Sequence, residues 1–165
     1  MKKKLNNNKI YTLGICNDET ASACLFMNGK LVSAVSEERF SRKKYDKSFP
    51  IKSINYLLEE HEIQLSRVDN ICYSWSKGFN PNLKKKYNKK ILNLKKKSKN
   101  QLKIFSLRYK YDILRDKEKR LEFNNWAKKF LSKNQIKNTK IYYHHEAHAA
   151  SACLLSQFNK GLVLT

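Results

Sequence analysis

The sequence predicts the α/β class: a mixed five-stranded sheet with helices packed on it. Three observations carry that reading. Short apolar runs recur at residues 10–16, 21–27 and 30–35, close enough in sequence for consecutive antiparallel strands. A stripe at helical spacing follows at 51–58, and strand-like and helical runs then alternate to residue 165. With 41% hydrophobic and 12% aromatic residues, a chain of 165 residues can bury one genuine core.

The elements follow in order. Residues 10–16 and 21–27 read as the first two strands. Asn28-Gly29 is a tight hairpin signal, because both residues tolerate positive φ. Residues 30–35 form the third strand, with Leu31, Ser33 and Val35 alternating against Val32 and Ala34. A charged stretch runs from Glu37 to Lys47. Pro50 suits a first helical turn, and Ile51, Ile54, Asn55 and Leu58, widened by Leu57, give the helix that follows an apolar stripe. Residues 68–75 are a fourth strand, and Gly78 and Pro81 interrupt the chain after it. Phe123, Trp126, Ala127 and Phe130 fall at i, i+3, i+4 and i+7, so a helix there has a face to bury. Residues 141–143 read as a short fifth strand, 145–156 as a helix and 161–165 as the start of another strand.

Charge and cysteine usage bound the function. The net charge is +21, and between Lys84 and Lys133 stand 19 Lys or Arg against 4 Asp or Glu. Two readings of that stretch stand side by side. One is a solvated helical surface whose Lys, Asn and Ile content follows a coding bias. The other is a polyanion or nucleic-acid site, and charge of this size implies non-specific polyanion binding in vitro. No apolar stretch approaches the ~20 residues of a membrane span. The opening Met1-Lys2-Lys3-Lys4 is followed by Leu5-Asn6-Asn7-Asn8 rather than an apolar core, so no export and a cytoplasmic location are expected. Cys16, Cys24, Cys72 and Cys153 show no paired spacing, which reads as reduced thiols.

Three antiparallel strands, a helix, a strand, a helical segment, a strand and a helix make the order of a ribonuclease-H-like half-domain, the unit found twice in actin-like ATPases. Residues 10–76 form its first part, 77–139 a basic, largely helical insert, and 140–165 its remainder with the first strand of a second half. On that reading the chain is expected to be truncated.

Several motifs carry a resemblance. Leu13-Gly14-Ile15, Ala21-Ser22-Ala23-Cys24-Leu25 and Asn28-Gly29-Lys30-Leu31-Val32 come first. Glu37-Glu38-Arg39-Phe40-Ser41-Arg42-Lys43-Lys44 then precedes Phe49-Pro50. Last come His144-His145-Glu146-Ala147-His148-Ala149-Ala150-Ser151-Ala152 and Leu162-Val163-Leu164-Thr165. In this order they resemble the O-carbamoyltransferases of antibiotic and nodulation-factor biosynthesis, although 77–139 matches none of that family's motifs. The transferases that build threonylcarbamoyladenosine on transfer RNA share the fold and the His-x-x-x-His.

The resemblance implies a site. His144 and His148, four apart, can face one side of a helix start, and imidazole suits divalent iron or zinc. In the family they look like two ligands of a metal that anchors nucleotide phosphates; the other reading is a polar helix start. His145 points elsewhere and is a candidate substrate contact. Where the family has a His-Asp pair in the first turn, this chain has Asp18-Glu19-Thr20, as the transfer-RNA-modifying relatives do. Asp18 and Glu19 are candidate proton acceptors, or members of an ordinary polar turn. Arg39, Arg42 and Lys44 are candidates for binding and polarising carbamoyl phosphate and ATP, or part of a solvated loop in which Glu37 and Glu38 pair with them. Lys44-Tyr45-Asp46 replaces the family's Lys-His-Asp.

The function implied is ATP-dependent transfer of a carbamoyl group from carbamoyl phosphate, via carbamoyl-adenylate, to a hydroxyl of a sugar or other small metabolite. The partner expected is a carboxy-terminal part of the same enzyme, and this chain alone is expected to be inactive. The alternatives are transfer-RNA threonylcarbamoyl transfer and a non-catalytic, basic RNA-binding module.

Overall fold

The computed structural model describes residues 9–17, 20–74 and 99–142 and positions 89, 92, 93, 147 and 150, save the side chains of 99 and 107–116. The chain divides into two compact units, Met1–Ser74 with Asn125–Ile141, and Trp75–Asn124 with Tyr142–Thr165. No described helix is long and apolar enough to cross a membrane.

The first unit is built on a sheet of order β3-β2-β1-β4-β5. Strands β1 (Tyr11–Cys16), β2 (Ser22–Met27) and β3 (Lys30–Ser36) pair antiparallel, whereas β4 (Asn70–Tyr73) and β5 (Lys140–Ile141) run parallel to β1. Three antiparallel strands flanked by two parallel ones, with helices between, make the ribonuclease-H-like arrangement that the sequence predicts. The hairpin turn falls at Asn28-Gly29, both with positive φ. The Asn28 side chain accepts from the Ile10 N–H at 2.9 Å, and this closes the end of the sheet.

Alternation along each strand gives the sheet two unlike faces. Tyr11, Leu13 and Ile15 of β1, Ala23 and Leu25 of β2, and Ile71 and Tyr73 of β4 are buried. Helix α2 (Ile51–Glu60) lies over β2 and β3 and buries Ser53, Ile54 and Leu57. The expected stripe is therefore displaced: Ile51 and Asn55 face solvent, and Ile54 with Leu57 does the packing. Pro50 is the residue before the helix rather than part of its first turn. Strand β3 also departs from simple alternation. A bulge between Leu25 and Phe26 pairs Leu25 with Ser33 but Phe26 with Leu31. The extra residue changes the phase, so Leu31 leaves the core face and is 46% exposed.

The opposite face carries Thr12, Gly14 and Cys16 beside Cys24, Asn70 and Cys72, all half-buried. Three cysteines that look scattered in sequence thus converge around Gly14, and Cys153 lies outside the described residues. Burial pushes the Cys24 thiol up from its ordinary value, and the Cys72 and Cys16 thiols add to the rise against a hydrogen bond from Gly14. Gly14 is required here by space, since a Cβ on it would stand 2.6 Å from the Cys24 sulfur.

The fourth strand is shorter than expected and is entered through a 3-10 turn at Leu65–Arg67. Helix α3 spans Lys99–Phe130, and α4 spans Lys133–Asn138. Phe123, Trp126 and Ala127 are buried as the spacing predicts, but Phe130 is 49% exposed. Trp126 packs instead against Phe49, ring centroids 5.4 Å apart. In the second unit, the buried Lys119 pairs with Glu122 at 3.3 Å along α3. Helix α4 is absent from the sequence reading although its signal is present: Ser132 and Gln135 form a capping box. The Gln135 amide also donates to the carbonyls of Leu65 at 2.7 Å and Val68 at 3.0 Å, tying α4 to the entrance of β4. The fifth strand begins at Lys140, one residue early, and is two residues long. Of the helix expected over 145–156, only Ala147 and Ala150 are described, both helical, and the strand expected at 161–165 lies outside the described residues.

Gly14→Ala is expected to destabilise the fold by ~1–3 kcal/mol through overpacking against Cys24. The double variant with Cys24→Ala should recover most of that loss, because it removes the clashing sulfur. Chemical denaturation of the two singles and the double completes the cycle; additive losses would place the cost elsewhere.

Candidate functional site

The parallel register of β1, β4 and β5 and the antiparallel hairpins bring four chain ends to one end of the sheet. They are Asn17 after β1, the Glu37 segment after β3, Ser74 after β4 and Ile141 at the end of β5. Strands β1 and β5 are two strand spacings apart, about 10 Å. Ligands of open α/β sheets collect at such carboxyl ends.

Two polar groups mark this end. The Tyr73 hydroxyl donates to the Asn17 side-chain oxygen at 2.7 Å, and both residues are fully buried. The Ser74 hydroxyl is buried without a hydrogen-bond partner. Such groups are costly unless something satisfies them. Neither Asn17 nor Ser74 stands out in the sequence reading; the available signal was a polar residue closing an otherwise apolar strand.

The segment after β3 is held by specific hydrogen bonds of its acidic side chains. A helix needs acceptors for its first N–H groups, and the Phe49-Pro50 entrance to α2 offers no side-chain cap. Glu37 supplies them from a distance. Its buried carboxylate accepts from the Lys52 N–H at 3.1 Å, the Ser53 N–H at 2.8 Å and the Ser53 hydroxyl at 2.7 Å. Glu38 opens the short helix α1 (Glu38–Ser41) and accepts from the Tyr45 N–H at 3.1 Å. Asp46 is 5% exposed and accepts from the Ser48 N–H at 2.9 Å and the Ser48 hydroxyl at 2.7 Å. Its backbone carbonyl takes the Ala21 N–H at 2.8 Å, fastening the loop to the start of β2. The Ser41 hydroxyl, then the Ser48 N–H and hydroxyl, hold the Asp46 carboxyl down at about 2, and Lys43 adds to this.

Of the two readings of this stretch, the pairing of Glu37 and Glu38 with the neighbouring cations is not what the structure shows. Both acids are spent on backbone N–H groups instead. Among the described residues no carboxylate forms an ion pair with Arg39, Arg42 or Lys44. Arg39, Arg42, Lys43 and Lys44 are all exposed. The Lys44 ammonium stands 5.6 Å from the Tyr45 ring centroid. Asp18, Glu19, His144, His145 and His148 lie outside the described residues, which reach Asn17 on one side and Tyr142 on the other. Among the described residues no group of three or more His, Cys, Asp or Glu is placed to hold a metal.

Glu37→Ala is expected to cost ~2–4 kcal/mol, since it strands a buried hydroxyl and two helix N–H groups. Urea unfolding measures it, and a loss below ~1 kcal/mol would show that water replaces the carboxylate. Asp46 sets an acid limb. Its folded pKa, about 2, lies below the ~3.9 of an unfolded aspartate, so its contribution is full above about pH 4 and disappears as pH falls through 2. Asp46→Asn should flatten the stability-against-pH curve between those limits, read by thermal unfolding at each pH.

The family model described as carbamoyltransferase N-terminus matches residues 12–165. An uncharacterized Synechocystis protein is 32% identical over 154 residues, covering 87% of this chain and 23% of that protein. The nodulation protein NolNO of Sinorhizobium fredii is 40% identical over 58 residues, covering 35% of this chain and 8% of its own. The chain thus spans less than a quarter of the length of these relatives. A solved YeaZ-like protein from Pseudomonas aeruginosa overlays 48% of this chain and 35% of its own at 17% identity, with a TM-score of 0.31; the fold class stands on the strand order, not on that overlay. A match running from the second residue of β1 to residue 165 leaves one assignment: the chain belongs to the carbamoyltransferase N-terminus family.

Proposed function

We propose that the chain supplies the acceptor-side half-domain of an ATP-dependent O-carbamoyltransferase. The donor is carbamoyl phosphate, used by way of carbamoyl-adenylate, and the acceptor is a hydroxyl of a sugar or other small metabolite. The observation that supports this reading most is the segment after β3. Its acids are consumed on backbone N–H groups of the loop and of α2, and four cations are left exposed in the segment that follows the carboxyl end of β3. Carbamoyl phosphate and ATP are anions that such a loop attracts, with Arg39 and Arg42 suited to phosphate oxygens and Lys44 acting as a point charge.

In the transfer step the acceptor oxygen attacks the carbamoyl carbon, a new C–O bond forms, and the bond to the adenylate oxygen breaks with AMP leaving. Asp18 or Glu19, next to Asn17, takes the proton from the acceptor hydroxyl. Lys44 and Arg42 offset the negative charge that develops on the carbamoyl oxygen and the leaving phosphate. His144 and His148 would hold divalent iron or zinc, which supplies Lewis acidity toward the nucleotide phosphates. His145 contacts substrate. The orphaned Ser74 hydroxyl gives a polar ligand one more partner at this sheet end.

By itself the chain is expected to bind these anions weakly without turning them over. Calorimetric titration of carbamoyl phosphate and ATP into the chain should show binding that weakens about tenfold in Arg42→Gln with Lys44→Met, roughly 1.4 kcal/mol, at unchanged thermal stability. Cobalt(II) uptake should fall in His144→Ala and in His148→Ala. Unaltered anion affinity in the loop variant would return Arg42 and Lys44 to a solvated role, and unaltered metal uptake in both histidine variants would remove the metal.

A further inference from the structure

A second group of cations lies on the first unit, toward the amino ends of β4 and β5. After Glu122 no acid occurs until Glu146, and Lys128, Lys129, Lys133, Lys137 and Lys140 fall between them. All five are exposed. Among the described residues none of them forms an ion pair with a carboxylate. The Lys129 ammonium instead stands 5.1 Å from the ring centroid of Phe130, which is itself 49% exposed.

These lysines are carried on a fixed scaffold. Lys128 and Lys129 occupy the last turn of α3, whose Trp126 is buried against Phe49. Lys133 and Lys137 are four apart on α4, so they share a face. The Ser132–Gln135 capping box closes that helix, and the Gln135 amide fixes it to the Leu65 and Val68 carbonyls. Lys140 begins β5, the edge strand of the sheet. The end of α3, helix α4 and the start of β5 thus carry five exposed lysines and a half-exposed aromatic ring, and among the described residues no carboxylate forms an ion pair with any of the five.

We infer that this surface binds single-stranded nucleic acid without sequence preference. A phosphodiester chain matches exposed lysines by charge, and an exposed ring offers its bases a stacking face. The absence of arginine among these five cations argues against base-edge reading, in which guanidinium forks are the commonest specific contact. A membrane surface fits less well, because α4 is six residues long and exposes one large apolar side chain, Ile136. An acidic protein partner also fits less well, since stable protein interfaces are depleted in lysine.

The test is fluorescence anisotropy of a labelled oligo-uridine of about 20 nucleotides with the 165-residue chain. At 0.1 M salt, Lys133→Gln with Lys137→Gln should weaken binding about 25-fold and lower the slope of log affinity against log salt by about 1.4, the effect of two lost phosphate contacts. The control is Lys30→Gln with Lys103→Gln, an equal loss of charge at exposed positions elsewhere. Phe130→Ala should weaken oligo-uridine binding but leave inorganic polyphosphate binding unchanged. An equal loss in the control pair would reduce the effect to net charge and overturn the assignment. So would tighter binding to phosphatidylserine vesicles than to the oligonucleotide, with the same dependence on Lys133 and Lys137.

Discussion

The buried carboxylate of Glu37 is the contact on which the first unit most depends. Helix α2 covers the apolar face of the sheet, and its entrance through Phe49-Pro50 brings no capping oxygen. Glu37 sits at the end of β3 and takes two of the helix's first N–H groups together with the Ser53 hydroxyl. One side chain therefore joins the last strand of the hairpin layer to the helix that buries it. The carboxylate is also drawn to the positive end of the helix dipole. Everything between, from Glu38 to Pro50, becomes a closed loop with both ends fixed.

That closure explains how a cationic segment can be ordered at all. Four exposed cations within six residues repel one another, and side-chain pairing with Glu37 and Glu38 would have been the cheap way to offset them. The acids are instead committed to backbone donors at Ser53, Lys52 and Tyr45. The cost is that the cations keep their charge for solvent or for a ligand. A loop built only for stability would have paired them.

Much of the architecture was legible in sequence, and the reason is local chemistry. Asn28-Gly29 fixed the hairpin because both residues accept positive φ, and the alternation at Leu13 and Ile15 placed the core face of β1. Where the reading missed, a long-range term intervened. The bulge at Leu25 and Phe26 turns Leu31 outward, and no pattern within β3 announces it. Of the expected helix stripe Ile54 and Leu57 are buried, while Ile51 and Asn55 face solvent, because the sheet beneath decides which face is buried. Cys16, Cys24 and Cys72 became neighbours only through strand register around Gly14. Of the candidate site, Arg39, Arg42 and Lys44 could be found from the motif, but the purpose of Glu37 and Asp46 could not. Those roles are contacts with Ser53, Ser48 and Ala21, fixed by the folded loop. Helix α4 is different in kind, since Ser132 and Gln135 stood three apart in plain view.

The backbone of the cationic loop shows where its stability is spent. Arg42 and Tyr45 both hold positive φ, 58° and 55°, in residues that ordinarily avoid it. Each such residue costs on the order of 1 kcal/mol, and such conformations persist only when the surroundings over-determine them. Here the surroundings are identifiable: Glu38 accepts from the Tyr45 N–H, and the Asp46 carbonyl accepts from Ala21. The Asp46 carboxylate, held near full ionisation by Ser41 and Ser48, closes the next turn. The strain falls on the two residues that flank Lys43 and Lys44. A relaxed extended segment would carry the same charges at lower conformational cost, but it would not be fastened to the start of β2 at Ala21. The strain of the left-handed turns at Arg42 and Tyr45 thus fixes the backbone that carries Lys43 and Lys44.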